Sequence, residues 1–164
     1  MSVGINFPGR LGLQQRVLPS YRASFLDALA EGCQSGLSVF AGAPLPVEGI
    51  SPIYTLGRAE LVQARNWYFK DPASRLFLCW QGGFVRWLED TQPAALIVEA
   101  NPRYPATRLA MRWMKRRGRP VVGWGLGAPP LRGRLAGLRG WERQNLLRGL
   151  DRIIAYSRTG AEQY

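Results

Sequence analysis

Five consecutive residues, Glu99-Ala100-Asn101-Pro102-Arg103, carry a carboxylate, an amide and a guanidinium. Such a set can bond to hydroxyls and hold a phosphate in a forked pair of hydrogen bonds. The same residues also permit a purely local arrangement, with Glu99 paired to Arg103 or capping the next helix. Pro102 disfavours helix at Asn101, so Arg103 leaves the chain from a defined turn. A second candidate is Tyr21-Arg22, expected where a strand runs into a helix. An arginine in a first helical turn opposes the helix dipole, which points to an anionic partner or a nearby carboxylate. The third is Gly123-Trp124-Gly125-Leu126-Gly127. Its spacing is GxGxG rather than the dinucleotide GxGxxG, and Pro129-Pro130 follows it instead of a helix. No acidic residue stands about twenty residues on to hold a ribose. Two readings stay open for it: a strand end packed on a neighbour, or a loop presenting Trp124 to a substrate.

The chain contains no histidine. Ser–His and Cys–His nucleophiles, histidine metal sites and a histidine base are thereby excluded. There is no Asp-x-Asp pair or other ligand cluster, and no metal is expected. Cys33 and Cys79 lie in apolar or helical contexts and read as reduced and buried, with a disulfide the alternative.

The elements that must position these residues centre on Pro93–Gly127. An apolar run at Ala94–Val98 reads as a buried strand. Pro105–Arg117 changes to helical period, with Ala106, Leu109, Ala110 and Trp113 inward and Arg108, Arg112, Lys115 and Arg116 outward. Pro120–Trp124 is a second buried run. Strand, helix and strand form a right-handed βαβ unit, so the sheet is parallel and the candidate residues fall at carboxyl ends of strands, where ligands of such sheets collect. Residues 1–12 read as a flexible end and 13–164 as one domain. Leu13–Leu18 is a first strand, unusually polar at Gln14, Gln15 and Arg16. Ser20 is expected to cap a helix through Glu31, with Tyr21, Phe25, Ala28 and Leu29 on one face. Leu37–Ala41 is a second strand, and a third falls between Leu61 and Trp67. Ser74–Asp90 reads as a helix interrupted by Gly82-Gly83, Leu138–Gly149 as a helix with Leu138, Asn145, Leu146 and Leu150 on one side, and Arg152–Tyr156 as a last strand. Thr159 and Glu162 have capping-box spacing, as if a new helix begins there. That start, so close to Tyr164, is expected of the first part of a longer protein, with a frayed tail as the alternative. Trp67, Tyr68, Trp80 and Trp87 read as core, while Trp113 and Trp141 could instead touch lipid headgroups.

Charge is uneven along the chain. Of 22 basic residues thirteen lie in 103–152, against Glu142 and Asp151 alone on the acidic side, and the rest of the chain is neutral. The second half therefore suits an anionic partner: phosphate, membrane or nucleic acid. Nucleic acid is disfavoured because no recognisable reading motif is present. No apolar run reaches the ~20 residues of a membrane span.

Four segments in register, SYRASFLDALA (20–30), IVEANPR (97–103), VVGWGLG (121–127) and IIAYSRTGAEQY (153–164), resemble the N-terminal domain of bacterial family-4 glycosyltransferases of the GT-B fold. The resemblance runs from about Arg16 to Tyr164. It implies an α/β, Rossmann-like three-layer sandwich with a mainly parallel sheet, forming one half of a GT-B fold. It implies a retaining transferase in surface polysaccharide or glycoconjugate synthesis, cytoplasmic and peripheral on the inner face of the membrane. This half would hold a sugar or lipid-linked acceptor through Tyr21, Arg22, Glu99, Asn101, Arg103 and Trp124. The nucleotide-sugar donor would belong to a C-terminal donor-binding domain beyond this chain, so no cofactor is expected here and the chain alone should be inactive. Arg108, Arg112, Lys115 and Arg116 would face an anionic membrane surface. One departure stands out: relatives commonly have histidine where this chain has Leu126. The rival expectation is a basic non-enzymatic module for anionic membrane or nucleic acid.

Overall fold

The computed structural model describes residues 6–74 and 76–164. Seven strands, β1 (Leu11–Val17), β2 (Leu37–Gly42), β3 (Glu60–Phe69), β4 (Leu78–Gly82), β5 (Ala95–Glu99), β6 (Val121–Gly125) and β7 (Arg152–Ala155), form one sheet in the order β4-β3-β2-β1-β5-β6-β7. All pairings are parallel except β3 with β4. Helices α1 (Ala23–Glu31), α2 (Phe84–Thr91), α3 (Ala106–Lys115), α4 (Ala136–Arg148) and α5 (Arg158–Gln163) complete it. The result is the expected Rossmann-like α/β sandwich. The chain winds outward from β1 in one direction and from β5 in the other, so the switch point lies between these two neighbours. That is where an open parallel sheet leaves a crevice at its carboxyl edge.

Alternation along the strands makes two cores. Leu13, Val39 and Ala95 pack with Leu26 and Ala30 of α1 on one face. Phe40, Leu96, Val98 and Val121 pack on the other with Trp87 of α2, Ala110 and Met114 of α3 and Leu146 of α4. Phe40, Phe84 and Trp87 lie with ring centroids 5.1–5.8 Å apart, and the Trp87 indole N–H is satisfied by Ser38 Oγ at 2.9 Å.

Several expectations are corrected. The first domain residues start earlier than position 13: residues 1–5 lie outside the described residues, but Phe7 bridges Cys33 and β1 already begins at Leu11. Gly9 and Gly12 serve close packing, since a Cβ on Gly9 would stand 2.6 Å from Ala94 Cβ and one on Gly12 3.0 Å from Trp87. The helix expected over Ser74–Asp90 is an edge strand followed by α2. Cys79 and Gln81 are buried while Leu78 is exposed, a period of two. Gly83 makes the junction at φ 86°, a left-handed conformation that favours glycine.

Ser20 opens a 3-10 turn, Ser20–Arg22, and does not cap α1. That tighter turn changes the phase of the helix. Leu26 and Ala30 face the core, and Tyr21, Phe25 and Ala28 are left outside. On α3, Met111 and Met114 are buried with Ala106, Ala110 and Trp113, while Leu109 is exposed. Trp113 is therefore a core residue rather than a lipid contact, whereas Trp141 is exposed. Only Leu146 of α4 is buried, and Leu138 and Asn145 are exposed, because the α4 sequence carries no continuous apolar stripe. Trp67, expected in the core, is exposed beside Arg65 on the β3–β4 ribbon at the sheet edge. α5 is capped by Ser157, not Thr159: extended Ser157 accepts the Gly160 N–H at 3.0 Å. Both cysteines are free and buried, and burial pushes the Cys79 thiol up to about 12.

Candidate functional site

A cleft of about 1330 Å³ opens at the carboxyl edge of the sheet. All six residues expected to hold an acceptor, Tyr21, Arg22, Glu99, Asn101, Arg103 and Trp124, line it. Their convergence follows from topology. The β5 and β6 ends supply the last four, and the turn after β1 supplies Tyr21 and Arg22. Residues of α4 and the loop before it form the far wall.

The floor of the cleft is built on a buried polar network that explains the odd polarity of β1. Gln14 and Gln15 are fully buried in a central strand. The Gln14 side chain donates to Gln81 Oε1, and Gln81 Nε2 donates to Gln15 O at 3.1 Å and Asn66 Oδ1 at 3.0 Å. The Arg16 guanidinium grips both oxygens of Glu48, at 2.6 and 2.9 Å. Burial, the largest single influence, would lower the Arg16 pKa, but the Glu48 hydrogen bond together with the nearby Tyr104, Tyr68 and Glu48 groups raises it overall. The same bond holds the Glu48 carboxyl below its ordinary range.

Glu99 joins this network to the cleft. Its N–H donates to Gln14 Oε1 at 3.0 Å, and its Oε2 accepts the Arg16 N–H at 2.6 Å. Burial pushes its carboxyl upward, with the Arg16 N–H working against that. Glu99 thus neither pairs with Arg103 nor caps α3. It is a desolvated carboxyl at the switch point.

Asn101-Pro102-Arg103-Tyr104 is a tight turn closed by the Tyr104 N–H to Asn101 O at 3.2 Å. Asn101 Oδ1 accepts the Arg103 N–H at 3.0 Å, so this side chain sets the turn as well as lining the cleft. The Arg103 guanidinium meets no carboxylate within 4 Å among the described residues.

Arg22 resolves the dipole puzzle in another way. It is the N-cap residue of α1, and its guanidinium lies 5.0 Å from the Trp124 ring centroid, 5.6 Å from Tyr156 and 5.7 Å from Tyr21. It donates to Tyr156 Oη at 2.7 Å and to Gln15 Oε1. An aromatic box and two acceptors take the place of the expected anion. Trp124 and Tyr156 stack at 5.2 Å, which leaves a rigid aromatic wall beside the cleft.

The glycines of the 123–127 loop are accounted for by packing. A Cβ on Gly125 would collide with Tyr164 Oη, and one on Gly127, at φ 127°, with Gln163 Oε1. Gly160 approaches Leu126 O so closely that a Cβ would stand 2.6 Å from it. The Gly127 N–H donates to Tyr164 Oη at 3.1 Å. The loop is thus the seat of α5, with Leu126 left 79% exposed at the cleft.

Of the residues expected on a basic surface, Arg112, Lys115 and Arg116 are exposed at the end of α3. Arg108 turns to the cleft, where it pairs with Glu142 of α4 at 2.6 Å. The sequence reading missed Arg139 and Arg143, half-buried in the cleft wall. Their spacing was a signal: like charges at i and i+4 destabilise a helix, so such a pair gains from an anion. The Arg143 pKa is lowered, by burial first and then by Arg139.

No protein-family model matches the chain and no curated protein matches it. Among the described residues no helix is long and apolar enough to cross a membrane.

Proposed function

We infer that the chain is the acceptor-binding half of a glycosyltransferase that uses a nucleotide-sugar and builds surface polysaccharide or glycoconjugate. One observation carries this reading. Six residues scattered over 104 positions of sequence, the ones the resemblance implies for the acceptor, line a single cleft at the switch point of a Rossmann-like sheet. The Trp124 and Tyr156 wall offers a face on which a pyranose can stack. Glu99, Asn101 and Arg103 offer an acceptor, an amide and a fork of donors. The donor would bind to a C-terminal domain facing the cleft, and the enzyme would work on the cytoplasmic side of a membrane. No metal enters the scheme, and a retaining outcome rests on the family resemblance alone. The exposed cations Arg112, Lys115 and Arg116 favour a second reading, in which the chain is a basic module docked on anionic membrane.

Saturation-transfer NMR against a panel of hexosides, uronosides and N-acetylhexosaminides tests the first reading. At least one should bind, and Trp124→Ala should abolish the signal. Nucleotide-sugars should bind this chain feebly. Silence across the saccharide panel would refute the reading, as would a nucleotide-sugar dissociation constant near ~1 μM, about −8 kcal/mol, which belongs to a donor site.

A further inference from the structure

The margin of the sheet carries a surface with the make-up of a protein contact. Strand β3 alternates strictly at its far end. Asn66 donates to Arg16 O at 2.8 Å and Tyr68 to Ala43 O at 2.7 Å, so these two turn inward and leave Arg65, Trp67 and Phe69 on the outer face. Their partners across the antiparallel ribbon are Gly82, Trp80 and Leu78. Trp67 is 46% exposed, Phe69 60% and Leu78 41%, with the Arg65 guanidinium 5.2 Å from the Trp67 ring. Aromatic residues and arginine are the types enriched at protein–protein contacts, and exposed apolar side chains gathered in one place mark such a contact.

Beside the ribbon lies a groove of about 150 Å³, lined by Trp80, Gly83, Phe84, Val85, Ala106 and Leu109. The Trp67 ring leans over Gly82, so ribbon and groove are one continuous surface. A cavity of roughly 150 Å³ takes a benzene ring, and Phe69 presents one on the same surface. Their spacing is the one a two-fold axis demands. Phe69 stands level with Leu78, the groove opens next to the Gly82 that faces Arg65, and Trp67 is midway. At about 3.4 Å per residue, Phe69 lies about 7 Å from Trp67. Half a turn about an axis through Trp67 carries the Phe69 of a second copy to the mouth of the groove, and the reverse. An isologous contact requires that reciprocity.

Charge favours the same occupant. A chain of net +11 repels its own copy, so self-association must use a region where the signs balance. Residues 58–92 carry five basic and four acidic side chains, against thirteen and two in 103–152. An acidic protein or a nucleic acid would be drawn to the second region, not to the ribbon. We propose that the chain forms a two-fold dimer through the β3–β4 ribbon, with the Trp67 side chains meeting on the axis and each Phe69 ring seated in the other copy's groove between Trp80 and Leu109. The dimer does not depend on the transferase reading.

A contact of this extent belongs at the small end of specific interfaces, with a dissociation constant on the order of 10 μM. Sedimentation equilibrium of the unaltered chain, from tenfold below to tenfold above that value, should show the apparent mass rising from 18.3 kDa toward twice that. Added salt should leave the dimer intact or tighten it, since the contact is apolar and only the repulsion between like-charged chains is screened. Phe69→Asp and, separately, Leu109→Arg should each weaken association tenfold or more, with circular dichroism of the dilute variants checking that they fold. Trp141→Ala, which removes an exposed aromatic of α4, should change nothing. Mild oxidation should trap Trp67→Cys as a disulfide-linked dimer and not Phe69→Cys, whose two thiols would stand about 14 Å apart along the ribbon, beyond the reach of a disulfide. The native thiols are buried and stay out of the reaction. A monomer across the whole concentration range overturns the proposal. So does a dimer that salt dissolves, one that survives both Phe69→Asp and Leu109→Arg, or one lost on Trp141→Ala. Trapping of Phe69→Cys without Trp67→Cys would refute the axis at Trp67.

Discussion

Replacing Glu99 with glutamine separates what this carboxyl does for the fold from what it does for a ligand. In the wild type Oε2 accepts the Arg16 N–H at 2.6 Å, and burial is the larger influence, pushing the carboxyl pKa upward. A hydrogen bond to a charged group contributes about 1.5–3 kcal/mol and one between neutral groups about 0.5–1.5. An amide oxygen in the same place therefore forfeits about 1–1.5 kcal/mol. Against that loss, the ionised form is relieved of its burial at about 1.36 kcal/mol per unit by which the folded pKa stands above the unfolded one. The two effects oppose each other, so Glu99→Gln at pH 8 should lie within about 1.5 kcal/mol of wild type. The pH dependence is sharper. A carboxyl with a raised folded pKa favours the protonated form, so its contribution is fully present below the unfolded value of about 4.3 and is lost as pH rises through the folded value. Urea unfolding of both proteins from pH 4 to pH 8 should show wild type losing stability relative to the variant as pH rises, then levelling. If wild type instead gains on the variant over that range, Glu99 is stabilised as a carboxylate and the account of a desolvated carboxyl at the switch point is wrong.

Two further outcomes follow from the same geometry. Glu48→Ala leaves the Arg16 guanidinium, whose side chain is only 13% exposed, without its partner. Unfolding free energy should fall by about 3 kcal/mol, at the low end for a broken buried pair because the site is not wholly dry; a loss under about 1 kcal/mol by urea titration would show that the pair is solvated. Gly160→Ala forces a methyl against Leu126 O, and overpacking of this kind costs about 1–3 kcal/mol. The strain falls on the short terminal helix α5, so hydrogen exchange of the Gly127 amide, which donates to Tyr164 Oη, should quicken while global unfolding barely moves. Unchanged protection at Gly127 would mean that α5 does not hold the loop.

How much of this was legible from the chain itself differs between its two halves. The βαβ unit around Glu99 and Trp124 could be read because its strands are short apolar runs and its helix keeps a strict period, both local properties of consecutive residues. From that unit came the parallel sheet, the strand ends and four of the six candidate residues, while Tyr21 and Arg22 were read from the first strand–helix junction. The stretch 74–90 misled because Phe77, Phe84 and Leu88 satisfy a helical spacing by accident, and the antiparallel pairing of β4 with β3, a contact with a distant strand, decides its conformation. The helix α1 was placed correctly but turned to the wrong face, since a 3-10 turn at Ser20–Arg22 shifts phase without any mark in composition. Gln14 and Gln15 looked unfit for a central strand until their partners, Gln81 and Arg22, arrived from elsewhere in the chain.

The chemistry divides in the same way. Residue type told what each group could do: Arg103 can hold an anion, Glu99 can accept a hydrogen bond from a hydroxyl, and Gly125 and Gly127 can let something come close. Only tertiary packing decided which of these capacities is already used. Arg22 is satisfied by aromatic rings, Arg108 by Glu142 and the loop glycines by α5, while among the described residues Arg103, Arg139 and Arg143 meet no carboxylate within 4 Å. The physical reason is that propensity and charge belong to a residue and its near neighbours. Whether a polar group is paired or bare depends on which distant element the fold sets within about 3 Å of it.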